Sequence, residues 1–189
     1  MQSLWIAKNF SYDGTQLRSL FAYLSEGVLG NSIVAWQGSC DIKWENMLDG
    51  EDLLAQSPIV GMDMLHFIVE IFDCSLFGAV SFQRVITSLA KDLVKEKSQN
   101  VQLLQNLVRI GDDIFCGEQK LSISVATLGS RSALIHFALN VTNEGTPVKT
   151  ASLKDLGIDS KDFAHELMQR VVNEFQTIRE ATYKVRSAP

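Results

Sequence analysis

KLSISVATLGSRSALIHFALNV, residues 120–141, is the stretch whose reading decides the fold. Lys120–Thr127 and Ser132–Val141 are two runs rich in β-branched, aromatic and leucine residues, parted by Gly129-Ser130-Arg131. Runs of this kind bounded by a glycine turn read as strands. The gap is too short for a helical crossover, which takes about a dozen residues or more, so the two strands are antiparallel. Upstream, Val108–Cys116 and Lys120–Thr127 read as a hairpin joined by Gly117-Glu118-Gln119. Downstream, beyond the Gly145-Thr146-Pro147 turn, Phe163, Leu167, Val171, Phe175 and Ile178 recur at helical spacing, so Ser160 to about Arg186 reads as a long helix.

The first half reads as alternating strands and helices. Leu4–Ala7 and Ser32–Trp36 are strands, with Ser39–Lys43 as a continuation of the second or its hairpin partner. Asp13-Gly14-Thr15-Gln16 reads as a helix start with Asp13 as N-cap, followed by Leu17, Leu20, Phe21 and Leu24 on one face and closed by Gly27 and Gly30. Ser57-Pro58 fits an N-cap followed by proline at the first helical position. Met62–Phe72 and Ala79–Val94 then read as two amphipathic helices, broken near Asp73-Cys74-Ser75. This order predicts an α+β fold, a mainly antiparallel sheet packed on helices, in one domain over residues 1–189.

Composition narrows the function classes. The chain is 46% hydrophobic and 21% charged, enough to bury a full core. Seventeen Lys+Arg against 22 Asp+Glu give a net charge of −5, so no basic excess exists to neutralise a nucleic-acid backbone. Trp5, Trp36 and Trp44 accordingly read as core or pocket walls rather than base-stacking platforms. Cys40, Cys74 and Cys116 are odd in number and lack a C-x-x-C pair, which excludes a disulfide framework. No two histidines share metal-ligand spacing. Met64–Phe82, the most hydrophobic stretch, is interrupted by His66, Glu70 and Asp73, and Met1–Phe10 has no apolar signal core. The expectation is a cytoplasmic protein without a membrane or nucleic-acid partner.

Side chains alternate between the faces of a strand. In Lys120–Thr127 one face is Leu121, Ile123 and Val125, and the other is Lys120, Ser122, Ser124 and Ala126. In Ser132–Val141 one face is Ile135, Phe137, Leu139 and Val141, and the other is His136, Ala138 and Asn140. The apolar faces are expected to meet the helices. The small polar faces are either an ordinary solvated sheet surface or the floor of a ligand site, where Lys120 would be a point charge for an anionic group.

The segments Gly111-Asp112-Asp113-Ile114, Lys120–Thr127 and Ile135–Val141 resemble the core of the biotin/lipoate protein ligase superfamily, with its Asn-Asp-Ile turn, its strand opening on Lys, and its strand ending in Asn-Val. ATLGSRSALIHFALNV is similar to the corresponding octanoyltransferase stretch. Over its whole length, through Tyr12-Asp13-Gly14, Gly30-Asn31-Ser32-Ile33-Val34, Met64-Leu65-His66-Phe67-Ile68 and Gly145-Thr146-Pro147-Val148, the chain resembles the family known as domain of unknown function three-six-six. The resemblance implies that Lys120 is the catalytic lysine, contacting an acyl carboxylate and adenylate phosphate in ligases or polarising an acyl carbonyl in transferases. It further implies that His136 and Asn140, with Ser122 and Ser124, line the floor and that Gln37 and Gly38 belong to a loop above it. Asp112 and Asp113 either hold Mg²⁺ with ligand phosphates or form a hydrogen-bonded turn.

Departures from that pattern shape the expectation. The segment Asn31–Cys40, where the superfamily carries a Gly/Arg-rich adenylate loop, has no arginine, which weakens the case for ATP and Mg²⁺. Gly145–Leu156 has no cysteine in the place of the transferase nucleophile. Cys40 is a substitute nucleophile with His66 as base, or else a packing residue. The sequence therefore predicts a ligase or acyltransferase relative that binds a small carboxylic acid or acyl-adenylate-like ligand near Lys120. The alternative is a non-catalytic binding protein or an oligomeric structural protein, in which the small-residue face packs against a second copy.

Overall fold

Thirteen residues, Ile59–Ile71, form strand β3 at the centre of a five-stranded sheet in a computed structural model that describes residues 1–188. This corrects the helix expected over Met62–Phe72 and the helix start expected at Ser57-Pro58. Leu65, Phe67 and Val69 face one core and Met64 and Ile68 face another, so the strand is covered on both sides. A strand buried on both faces loses its apolar/polar alternation and reads as a continuous apolar run.

The neighbours of β3 are β2 (Ser32–Ile42) and β8 (Ala133–Asn140), both antiparallel to it. β1 (Gln2–Trp5) pairs with β2 in parallel, and β7 (Ser122–Leu128) pairs antiparallel with β8 at the other edge. Ser39–Lys43 continues β2 past a register shift between Gly38 and Cys40. At Gly38 an added Cβ would fall 2.0 Å from the Phe10 carbonyl oxygen, so the backbone of the 6–12 segment rests directly on the strand.

Helices α3 (Leu76–Lys97) and α5 (Ser160–Tyr183) cover one face, burying Ile86, Leu93, Phe163, Leu167 and Val171 against Ile135, Phe137 and Leu139. Ser75 and Asp159 cap them, each side chain accepting a backbone N–H of the first turn. The opposite face is closed by the N-terminal segment. Tyr12, Leu17 and Phe21 pack there on Trp36, Ile68 and Ala138. Asp13 accepts from Thr15 and Gln16 accepts from Asp13, as a capping box would, yet regular helix (α1, Phe21–Glu26) begins only after Leu20. Gly14 and Leu20 both have positive φ, which breaks the turn away from helical geometry.

The expected hairpin of Val108–Cys116 with Lys120–Thr127 is divided between two sheets. β4 (Leu107–Ile110), β5 (Asp113–Cys116) and β6 (Gln119–Lys120) make a separate three-stranded sheet, and the chain passes into the main sheet at β7. Lys120 stands at that junction. Two short α-helices, α2 (Gly50–Ala55) and α4 (Val101–Leu104), and a 3-10 turn at Trp44–Asn46 complete the elements, and no helix of the described residues is long and apolar enough to cross a membrane.

Candidate functional site

A cavity of about 320 Å³ opens on the sheet face opposite α3 and α5, within the size range of small-molecule sites. Residues directly opposite one another in a strand pair share a face. Val125 is opposite His136 and Ile123 opposite Ala138, so these two apolar residues lie on the cavity side. Ser122 is opposite Leu139 and Ser124 opposite Phe137, which puts both serines on the helix side. The faces of β7 are thus the reverse of the expectation. The register set by β8 overrides the pattern, because both sides of this strand are partly covered.

The cavity floor consists of Met64, Ile123, Val125 and His136, with Tyr12 over them, and its rim comes from the 42–60 segment and from Thr146–Thr150. Lys120 stands at the rim, its Nζ 2.7 Å from Asp113 Oδ2. Its position is fixed by backbone bonds on both sides: Lys120 N–H donates to the Lys149 carbonyl, and Ala151 N–H donates to the Lys120 carbonyl. Asn140 completes the clamp, its side-chain amide donating to the carbonyls of Lys120 and Ala151. Asn140 therefore positions the lysine.

Burial pushes the Asp113 carboxyl above its ordinary value, against the opposing pull of Lys120, with Asp112 and Asp52 adding to the rise. Its Oδ1 is buried with no partner among the described residues. Asp112 is otherwise engaged. Its carboxylate accepts from Gln83 on α3 and from Ser124, and its carbonyl accepts from Thr87. The two aspartates thus do not converge on a common point. Asp112 secures the Gly111 turn to α3, and Asp113 pairs with the lysine.

Below Tyr12 lies a buried pair of imidazoles. His66 Nδ1 is 3.1 Å from His136 Nε2, and His66 Nε2 is 3.3 Å from the Gly38 carbonyl oxygen. Tyr12 stacks on the His136 ring with centroids 3.7 Å apart, and Trp36 lies against His66. Burial holds the His66 pKa down at about 4, and burial together with His66 holds His136 well below the ordinary range, so both rings are neutral near pH 7.

Of the sequence-derived site residues, Lys120, Asp112, Asp113, His136 and Asn140 line one cavity, and Ser124 borders it although its hydroxyl turns to Gln83 and Asp112. Ser122, Gln37 and Gly38 do not. Ser122 is fully buried and accepts from Ile114 N–H. Gln37 bridges the Asp63 carboxylate and the hydroxyl of Ser160 at the start of α5. Gly38 lies inside β2 under Phe10. Cys40 is no substitute nucleophile: it is buried, its thiol is pushed up to about 12 by burial and then Asp41, and both nitrogens of His66 are committed elsewhere. Met64, Ile123 and Val125 went unrecognised as lining residues, Met64 through the helix reading of β3 and the other two through the inverted face of β7; Tyr12, from the distant N-terminal segment, had no local signal, and His66 was considered only as a base for Cys40.

An adenylate does not fit these donors. Asn31–Cys40 is almost wholly inner strand, leaving no loop to wrap phosphates. The cavity lining carries five carboxylates (Asp49, Glu51, Asp52, Asp112 and Asp113) against the single lysine.

A mainly antiparallel sheet with two long helices on one face and a cavity with one lysine on the other is an α+β fold, and solved biotin and lipoate protein ligases share that fold. The fold matches biotin protein ligase of Aquifex aeolicus in complex with biotin and ATP (TM-score 0.61, 11% identity, 95% of this chain and 72% of that one). It also matches lipoate-protein ligase A bound with ATP (TM-score 0.51, 14% identity, 92% of this chain and 85% of that one). The chain itself belongs to the family described as domain of unknown function (DUF366), whose model matches residues 1–186. A protein of unknown function from Pyrococcus horikoshi shares 35% identity with it and superposes over 100% of both chains with a TM-score of 0.92.

Proposed function

We propose that the cavity binds a small acyl compound through its carbonyl oxygen, with Lys120 as the donor and the carbon chain on Met64, Ile123 and Val125. The observation that carries this reading is Lys120 itself, the one lysine or arginine in the cavity lining among the described residues, held at the rim above an apolar floor. An ammonium has three donors and Asp113 takes one of them, so a neutral acceptor can be bound without breaking the ion pair. A free carboxylate or an adenylate would instead meet five like charges. An ester, thioester or amide carbonyl avoids that repulsion and is polarised by the fixed charge.

The site lacks both an adenylate loop and an activated thiol, which favours a protein that holds such a compound over one that forms it from ATP. A thermal-shift series with methyl octanoate, octanoate and ATP at neutral pH tests the reading. The ester should stabilise the protein by RT ln(1 + [L]/Kd), or about 2.7 kcal/mol at a hundredfold excess over Kd, with octanoate weaker and ATP without effect. Stabilisation by ATP alone would replace this reading with a nucleotide-binding one.

A further inference from the structure

The two buried imidazoles have only one consistent arrangement of protons. A backbone carbonyl can only accept, so the Gly38 oxygen requires His66 Nε2 to carry the proton. A neutral His66 then presents an unprotonated Nδ1, which must accept from His136 Nε2–H. His136 is left with an unprotonated Nδ1. That nitrogen has no hydrogen-bond partner among the described residues, and it is not sealed from solvent as Ser32 Oγ and Asp113 Oδ1 are. His136 is 1% exposed and lines the cavity, so the cavity is what Nδ1 meets. The ring is held this way round by its contact to His66, since a 180° turn would put Cε1 where Nε2 meets His66 Nδ1, and the Gly38 carbonyl that anchors the relay is pinned beneath Phe10.

We infer that the ligand carries, besides its carbonyl, a hydrogen-bond donor (an N–H or O–H) remote from it, and that His136 Nδ1 is the acceptor that reads this group. The inference rests on the acyl reading above and adds a second polar point to it. Asn140, which holds the Lys120 backbone, lies four residues along β8 from His136, about 13 Å at 3.3 Å per residue. A hydrogen bond of about 3 Å at each end leaves roughly 7 Å of that span, which an eight-carbon chain bridges when it is bent. An unsubstituted hydrocarbon tail would leave Nδ1 dry and unpaired, a cost equivalent to roughly a tenfold to hundredfold loss of affinity. Neutral His136 accepts throughout the physiological range, so it acts in recognition and takes up no proton.

Calorimetric titration of the wild-type protein with methyl 8-hydroxyoctanoate and methyl octanoate is the test. The hydroxylated ester should bind about tenfold tighter or better, the opposite of what a purely apolar pocket would do. Equal binding, or preference for methyl octanoate, overturns the role of His136 and leaves the acyl reading standing. Binding of neither overturns both. His66→Phe removes the acceptor that orients His136 and should abolish the discrimination between the two esters. Discrimination that survives this change overturns the relay. A ¹⁵N spectrum of the wild-type histidines gives a reading independent of that variant. Both rings should be protonated on Nε2 at neutral pH, with His136 Nδ1 shifting when the hydroxy ester is added, and a proton found on His136 Nδ1 overturns the assignment.

Discussion

Replacing Asp113 by Asn should convert the site from one that prefers a neutral acyl carbonyl to one that accepts a free carboxylate. Asp113 Oδ2 is 2.7 Å from Lys120 Nζ, so a ligand oxygen bound to the same ammonium comes within about 5 Å of the aspartate. Two like charges at that distance repel by roughly 1–3 kcal/mol for an effective dielectric between about 80 and 20. Removing one of them should therefore tighten octanoate by about tenfold or more, while methyl octanoate changes little. The fold should tolerate the change. Burial already outweighs Lys120 in setting the Asp113 carboxyl, and Lys120 is one-third exposed and can be solvated, so the stability change should stay within about 1 kcal/mol. The pH dependence has a fixed sign. The folded-state pKa of Asp113 is raised above the unfolded value, so its protonation adds stability as pH falls through the folded pKa, and that contribution is absent above it. Asp113→Asn should remove this slope. In the wild type, octanoate should bind more tightly as pH is lowered through the same range, down to the point where the ligand protonates. Calorimetry on both ligands and denaturant melts at several pH values read all of this. Unchanged or weaker octanoate binding in Asp113→Asn would refute the account of Lys120 as a donor only partly taken up by Asp113.

Other perturbations separate site from scaffold. Ser122→Ala should cost about 1–3 kcal/mol in chemical denaturation, because it strands the buried Ile114 N–H, and should leave ligand affinity unchanged. Gly38→Ala should cost about 3 kcal/mol or prevent folding, since its Cβ would collide with the Phe10 backbone, and a soluble variant of wild-type stability would contradict the packing described. In the native protein at pH 7, thiol reagents should modify Cys74 well before Cys40, whose thiol is buried and pushed up to about 12; mass mapping after brief alkylation checks the order.

The strands Lys120–Thr127 and Ser132–Val141 were legible because a glycine turn and short spacing leave them little choice but to pair, and the last helix because Phe163, Leu167, Val171 and Phe175 keep a strict helical period. β3 was not legible. Core lies on both of its sides, so Met64, Leu65, Phe67, Ile68 and Val69 satisfy helical spacing as well as they fill a strand. In β7 the alternation was visible but its direction was not. Apolar residues on the cavity floor look the same as apolar residues against a helix, and only the pairing of Val125 with His136 decides between them. Lys120, Asp113 and Asn140 stood out through motif resemblance, whereas the Tyr12–His136–His66 stack joins three distant segments that no local pattern connects.

The central claim is that Lys120 donates a hydrogen bond to the carbonyl oxygen of a bound acyl group, and a ¹³C spectrum of carbonyl-labelled methyl octanoate tests it most directly. On the wild-type protein the bound carbonyl resonance should move downfield from its position in an apolar solvent, as polarisation by an ammonium requires. On Lys120→Met, whose backbone bonds to Lys149 and Ala151 do not depend on the side chain, that displacement should disappear. A resonance that is the same on both proteins would contradict the account.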